Sequence, residues 1–139
     1  MMKKKIIFNW INPFFKFKTK LLYRCSIDRD SSYKFHEKCD GKGPTITLVK
    51  TDKVFKFGGY TSISWNNIQN LQQDRNAFIF SLNKKENYTI YGGNINGPIF
   101  GSNEIYIRNN CKKKVEFVLT HYIIISHLLE NCLEDKILM

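Results

Sequence analysis

The sequence predicts a mainly β domain of the α+β class, folded as a two-sheet antiparallel β-sandwich with peripheral helices. Three observations carry that expectation. Aromatic residues make up 14% of the 139-residue chain, and with its many isoleucines they suit a pleated, half-buried surface better than a helix bundle. Short apolar runs recur, and in residues 77–82 Phe78, Phe80 and Leu82 alternate with Ala77, Ile79 and Ser81. Clusters of Gly, Asn, Asp and Pro separate these runs, as turns between short strands do. A hydrophobic content of 42% supports one ordered core, and the length suits a single domain.

Residues 3–20 mix apolar and basic side chains, with Trp10, Phe14, Phe15 and Phe17 as anchors and Pro13 interrupting any long helix. Leu21, Leu22 and Tyr23 read as a short strand. Ser31 or Ser32 caps a short helix reaching about Cys39, with Tyr33, Phe35 and Cys39 as candidates for its inward face. Asp40, Gly41, Lys42, Gly43 and Pro44 form a strong turn signal. Strands follow over residues 45–50, with Ile46 and Leu48 on one face, and over 54–60, which ends near Gly58 and Gly59. Those two glycines are read as backbone requirements, at a place where the chain can bend or approach another backbone closely, and bulky residues there would tolerate positive φ poorly. After a polar loop at 66–75 comes the 77–82 strand. Two shorter strands, 88–91 and 104–107, flank a Gly/Asn turn at 92–101.

Beyond Cys111 the character changes. Residues 115–125 are β-branched and aromatic, whereas Leu128, Leu129, Cys132 and Leu133 recur at helical spacing, with Glu130, Glu134 and Asp135 on the polar side. No register is evident there, so the expectation is a weak closing segment that leaves a sheet edge open. The chain thus divides into a basic and aromatic entry segment (1–20), a core (21–107) and a divergent C-terminal tail (108–139), with the fold incomplete at its C-terminus.

The formal charge of +10 and a pI near 9.5 would draw the chain toward polyanions. Nearly all the basic residues are lysines, however; Arg24, Arg29, Arg75 and Arg108 are the only arginines. Bidentate phosphate and guanine recognition favours arginine, so solvated lysines are the better reading and nucleic acid is disfavoured as a partner. Cys25, Cys39, Cys111 and Cys132 form no CxxC pair, and the N-terminus lacks a secretory pattern. The apolar run at 117–129 contains His121 and His127 and falls short of the roughly 20 residues a bilayer requires. The expectation is a reduced, cytoplasmic protein with no transmembrane segment.

Spacing argues against each candidate site of chemistry. Asp28, Asp30 and Ser32 begin like a calcium loop, but Tyr33 and Cys39 stand where an EF-hand needs glycine and glutamate. His36 and Cys39 could supply two zinc ligands, yet any others would have to come from Cys25, Cys111 or His121. A nucleophilic Cys25 or Cys111 would need His121 or His127 as base, and no local motif signals that arrangement. Lys42 between Gly41 and Gly43 lacks the strand–loop–helix context of a phosphate loop. No paired carboxylates stand out for acid–base work. The expected inventory is no catalytic residue, no cofactor-binding residue, no metal ligand and no cofactor; the chain is read as not an enzyme.

Set in order, several blocks resemble the TLDc family. Leu21, Leu22, Tyr23 and Arg24 open the match, followed by Ser26 and Asp28, then Phe35 and His36, Cys39 and Asp40, and the turn Lys42-Gly43-Pro44-Thr45. The most specific stretch is Phe57-Gly58-Gly59-Tyr60-Thr61-Ser62, with Ser64 and Trp65 after it. Asp74, residues 77–82, Gly97-Pro98-Ile99-Phe100-Gly101 and Ile105-Tyr106-Ile107 continue the order. Arg29 and Asp30 depart from the glycine and aromatic that the family usually carries there, and no closing strand is located after Ile107. The resemblance implies a two-sheet sandwich, a non-catalytic binding role, protection against oxidative stress, and vacuolar-type proton pump subunits as protein partners. Two other readings compete with it. One is nucleic-acid or anionic-membrane binding through residues 3–20; the other is a reactive thiol at Cys25 or Cys39.

Overall fold

The computed structural model describes residues 2–51, 53–66, 72–90, 99–100, 105–107 and 119–130; residues 2–4, 106 and 119–130 are described by their backbone alone. In chain order the elements are α1 (Met2–Ile11), β1 (Lys16–Arg24), α2 (Cys25–Asp28), α3 (Ser32–Cys39), β2 (Thr45–Thr51) and β3 (Lys56–Thr61). After them come β4 (Phe78–Ser81), β5 (Glu86–Thr89), β6 (Ile99–Phe100), β7 (Ile105–Tyr106) and β8 (Leu119–Glu130). A six-stranded sheet in the order β1-β8-β2-β3-β4-β5 forms the centre, every pairing antiparallel, and β6 pairs with β7 separately. The class is therefore mainly β, as the aromatic and isoleucine content predicts. The described residues form one large sheet and one small one, not two sheets of comparable size.

Both faces of the large sheet are covered. On one, Ile7 of α1 packs against Ile46, Tyr60, Phe78 and Phe80, with Phe8, Trp10 and Ile11 beside them. On the other, Tyr23, Phe35, Cys39, Val49, Trp65 and Phe100 share a second cluster that Ile79 joins. Residues 77–82 therefore alternate between two apolar layers, because their sheet is buried on both sides. Phe78 and Phe80 point into the α1 layer, as expected, while Ala77 and Ile79 point into the other.

Local chemistry accounts for the boundaries. Helix α1 stops before Pro13, and the Asn12 side chain accepts a hydrogen bond from the Phe14 amide at 2.9 Å, turning the chain toward β1. Helix α3 starts at Ser32 because Ser31 caps it, its hydroxyl accepting from the Lys34 amide at 3.3 Å. The entry segment resolves into a helix and the first half of an edge strand, so β1 begins at Lys16, ahead of the expected Leu21.

The C-terminal expectation is corrected. Strand β8 does not leave an open edge; it lies between β1 and β2, pairing Lys16 with Glu130 and Arg24 with Ile123 on one side, and Thr45 with Ser126 on the other. Residues 126–130 are strand, not helix. Thr120, His121, Ser126 and His127 interrupt the apolar residues of this strand at irregular spacing, so the alternation that would announce its register is absent. The close approach expected at Gly58 and Gly59 is present, with other groups standing against both, although neither has positive φ.

Candidate functional site

The blocks that carry the family resemblance lie far apart in the chain, and the fold gathers several of them around the exit of β3. Asp74 is the hub. Its carboxylate accepts hydrogen bonds from the Thr61 hydroxyl (2.8 Å), the Ser62 amide (2.6 Å), the Ser62 hydroxyl (2.6 Å) and the Asn76 amide (3.0 Å). The Asp74 carbonyl accepts from the Ala77 amide at 3.3 Å, so one residue ties the end of β3 to the entrance of β4. Burial pushes this carboxyl up, and the hydrogen bonds from Ser62, Thr61 and Asn76 outweigh that push, holding it below its ordinary value.

Trp65 forms the second node. Its indole N–H donates to the Thr45 hydroxyl at 2.8 Å, and its ring meets Phe35 and Phe100 edge to face, with centroids at 5.4 and 5.7 Å. The Trp65 carbonyl accepts from the Gly41 amide at 3.0 Å, while the Ser64 hydroxyl accepts from the Gly43 amide at 3.0 Å. A Cβ at Gly43 would sit 2.6 Å from the backbone of Ile63 and Ser64. Glycine at this point lets the 40–44 turn lie flat on residues 63–65. The peptide bond between Gly43 and Pro44 is cis.

The residues weighed for catalysis or metal binding are occupied elsewhere. His36 Nδ1 and Asp40 Oδ1 are 2.8 Å apart, and Cys39 is buried with its thiol pushed up to about 12 by burial and by the Asp40 and Asp28 carboxylates. Asp28 is paired with Lys38 at 2.7 Å and accepts from the Arg24 amide at 2.8 Å; these contacts hold its carboxyl low against the opposing effect of burial. Cys25 is also buried. Cys111 and Cys132 lie outside the described residues, and His121 and His127 fall on β8, which is described by its backbone alone. Among the described residues no three His, Cys, Asp or Glu side chains are grouped to hold a metal ion, and no helix is long and apolar enough to cross a membrane.

What remains open is surface. Between α1 and the sheet a cleft of about 350 Å³ is lined by Trp10, Asn12, Phe15, Pro44, Tyr60 and Phe78. Phe14, next to Phe15 in the turn after α1, is 85% exposed. Sequence reading assigned no role to Asp74. The available signal was the Asp-Arg-Asn triplet at 74–76, in which an aspartate can accept from the amide two residues on.

Comparison with known proteins bears on this assembly directly. A family model described as the TLDc domain matches residues 3–132, extending on both sides of the 21–107 stretch whose motifs carry the resemblance. The chain is similar to MTOR-associated protein MEAK7 of Danio rerio, at 33% identity over 63 residues. That alignment takes in 45% of this chain and 14% of the relative, so the chain spans a small part of the curated protein it matches. With the family match running over nearly the whole sequence, and its most specific blocks meeting at Asp74 and Trp65, the chain belongs to the TLDc domain family.

Proposed function

We propose that this TLDc domain is a non-catalytic regulatory module that acts by binding another protein. One observation carries the reading: the polar groups of the most specific family blocks are used to hold backbone in place. The Asp74 carboxylate accepts four hydrogen bonds, the Trp65 indole N–H is satisfied by Thr45, and the Ser64 hydroxyl secures Gly43. A carboxylate saturated in this way offers no general base, and a thiol pushed up to about 12 offers no nucleophile at neutral pH. The shape these contacts maintain is the functional product, and the apolar cleft beside α1 is the candidate contact surface.

The partner is proposed from kinship. Resemblance to the TLDc family points to subunits of the vacuolar-type proton pump and to a role in oxidative-stress protection in the cytoplasm. The name of the MEAK7 relative records an association with mTOR, which makes an mTOR-linked assembly a further candidate. Affinity capture from native cytosol with the full chain tests the reading. The expected result is recovery of proton-pump subunits that persists at high salt, as an interface with an apolar core should. Recovery should fall when Phe15→Ser opens the cleft rim. Capture of nucleic acid alone, lost steeply as salt rises, would instead support the polyanion reading.

A further inference from the structure

Strand β8 has two ends: near Glu130 it pairs with Lys16, just after the Phe14 turn, and near Leu119 it pairs with Thr51. At the second end the β2–β3 and β4–β5 turns lie side by side. The Lys56 amide donates to the Asn83 side chain at 2.7 Å, and the Leu82 amide donates to the Lys56 carbonyl at 2.9 Å. Each turn is also closed internally. The Val54 amide donates to the Thr51 carbonyl at 3.0 Å, the Thr51 amide to the Phe55 carbonyl at 3.0 Å, and the Lys84 amide to the Ser81 hydroxyl at 3.3 Å.

The occupants of this rigid tip are unusual for a solvated turn. Val54 has φ +65°, in the left-handed region where a β-branched residue is an outlier and where glycine is the ordinary choice after such a turn. Val54 and the neighbouring Phe55 are nevertheless 57% and 51% exposed. Backbone strain that holds two apolar side chains out in water is the kind of feature found at contact sites. Lys84 and Lys85 are exposed on the adjoining turn, and Lys85 also adopts positive φ. Among the described residues of the two turns and their flanks, Lys50, Lys53, Lys84 and Lys85 are exposed beside Glu86. The tip is therefore apolar at its centre and cationic around it.

We propose that the paired β2–β3 and β4–β5 turns form a membrane-docking tip, with Val54 and Phe55 entering an anionic bilayer and Lys84 and Lys85 held at its phosphates. Apolar side chains buried at the headgroup boundary and lysines in the negative surface potential act together in interfacial binding. A rigid tip orders nothing further on docking, which favours shallow insertion over folding at the surface.

Flotation of the full chain with vesicles of equimolar phosphatidylcholine and phosphatidylserine, and with phosphatidylcholine alone, tests this. The parent should float with the anionic vesicles and not with the neutral ones. Val54→Gly with Phe55→Ser should weaken anionic binding by about tenfold while the domain stays folded, since glycine relieves the φ strain. Lys84→Glu with Lys85→Glu should also release it, and Phe55→Trp should bind and show emission quenched by brominated lipid. Anionic binding unchanged by the Val54 and Phe55 substitutions would overturn the proposal. So would an unquenched Phe55→Trp emission, or binding to single-stranded DNA with no binding to vesicles. The assay contains no pump subunit, so its failure leaves the protein-binding reading untouched.

Discussion

The ring of Phe100 stands directly on Gly59: a Cβ built at Gly59 would lie 2.5 Å from a ring carbon. At Gly58 the obstacle is different, because a Cβ there would collide with the carbonyl oxygen of Thr47 on the neighbouring strand. A ring can repack, whereas a paired strand carbonyl cannot move without breaking the sheet. Gly59→Ala should therefore cost roughly 1–3 kcal/mol, much of it recovered by Phe100→Leu. Gly58→Ala should cost more and gain nothing from the same second change. Urea midpoints of the four variants read this out; equal rescue of both glycines by Phe100→Leu would count against the distinction.

Phe80 is buried in the layer between α1 and the sheet, within 6.0 Å of the Trp10 ring, centroid to centroid. Phe80→Ala should destabilise by about 3–5 kcal/mol through lost burial and the cavity left behind. Lys84→Ala, on the exposed turn nearby, should stay close to the parent. Indistinguishable urea midpoints for the two variants would remove Phe80 from the core.

These two cases show what sequence could and could not reveal. The alternation at 77–82 is visible because each side chain enters one of two layers, and Ser31 announces α3 because a cap works through local contacts. The strand character of residues 16–20 is also present, as Lys16, Lys18 and Lys20 alternating with Phe17 and Thr19, but within residues 3–20 it is masked by the mixture of basic and aromatic residues that reads as one entry segment. A close approach at Gly58 and Gly59 is legible in the glycine pair itself, but the groups that stand against them, Thr47 and Phe100, are hidden because only the folded sheet brings them close. The role of Asp74 was hidden in the same way, since three of its four hydrogen bonds come from Thr61 and Ser62, more than ten residues earlier.

Asp74 links the candidate site to acid stability. Its folded carboxyl titrates below the 3.8 of a free aspartate, because hydrogen bonds to the ionised form outweigh its burial. A lowered folded value contributes stability above the unfolded value and loses it as pH falls through the folded one. The parent should therefore lose stability below about pH 4. Asp74→Asn should be less stable by roughly 3 kcal/mol at neutral pH, because an amide cannot accept all four bonds. It should also show a flatter acid limb in urea titrations. An acid limb as steep in Asp74→Asn as in the parent would place the titration elsewhere.

The buried thiols should be chemically quiet. Cys39 is pushed up to about 12, first by burial and then by the Asp40 and Asp28 carboxylates, so its thiolate is scarce at neutral pH. Cys25 shares that cluster. Iodoacetamide labelling of the native protein, mapped by residue, should leave both cysteines unmodified, and denaturant should expose both. Rapid native labelling at Cys39 would revive the reactive-thiol reading.

The fate of β8 decides whether the fold closes. Twelve residues, Leu119–Glu130, pair with β1 on one side and β2 on the other, so among the described residues this strand alone joins β1 to the rest of the sheet. Tyr23 of β1 is fully buried beside Phe35, and its hydroxyl donates to the Arg29 carbonyl at 2.6 Å. Removing β8 would leave β1 without a neighbour and expose the long edge of β2, which presents unpaired backbone groups to any passing strand. Backbone amides of residues 121–128 should therefore exchange as slowly as those of β4, since both strands are paired on two sides. A chain ending before Leu119 should lose cooperative unfolding and aggregate, not merely soften. Exchange at 121–128 as fast as in an exposed turn such as 82–85, or a cooperative monomer without β8, would show that the sheet closes by other means.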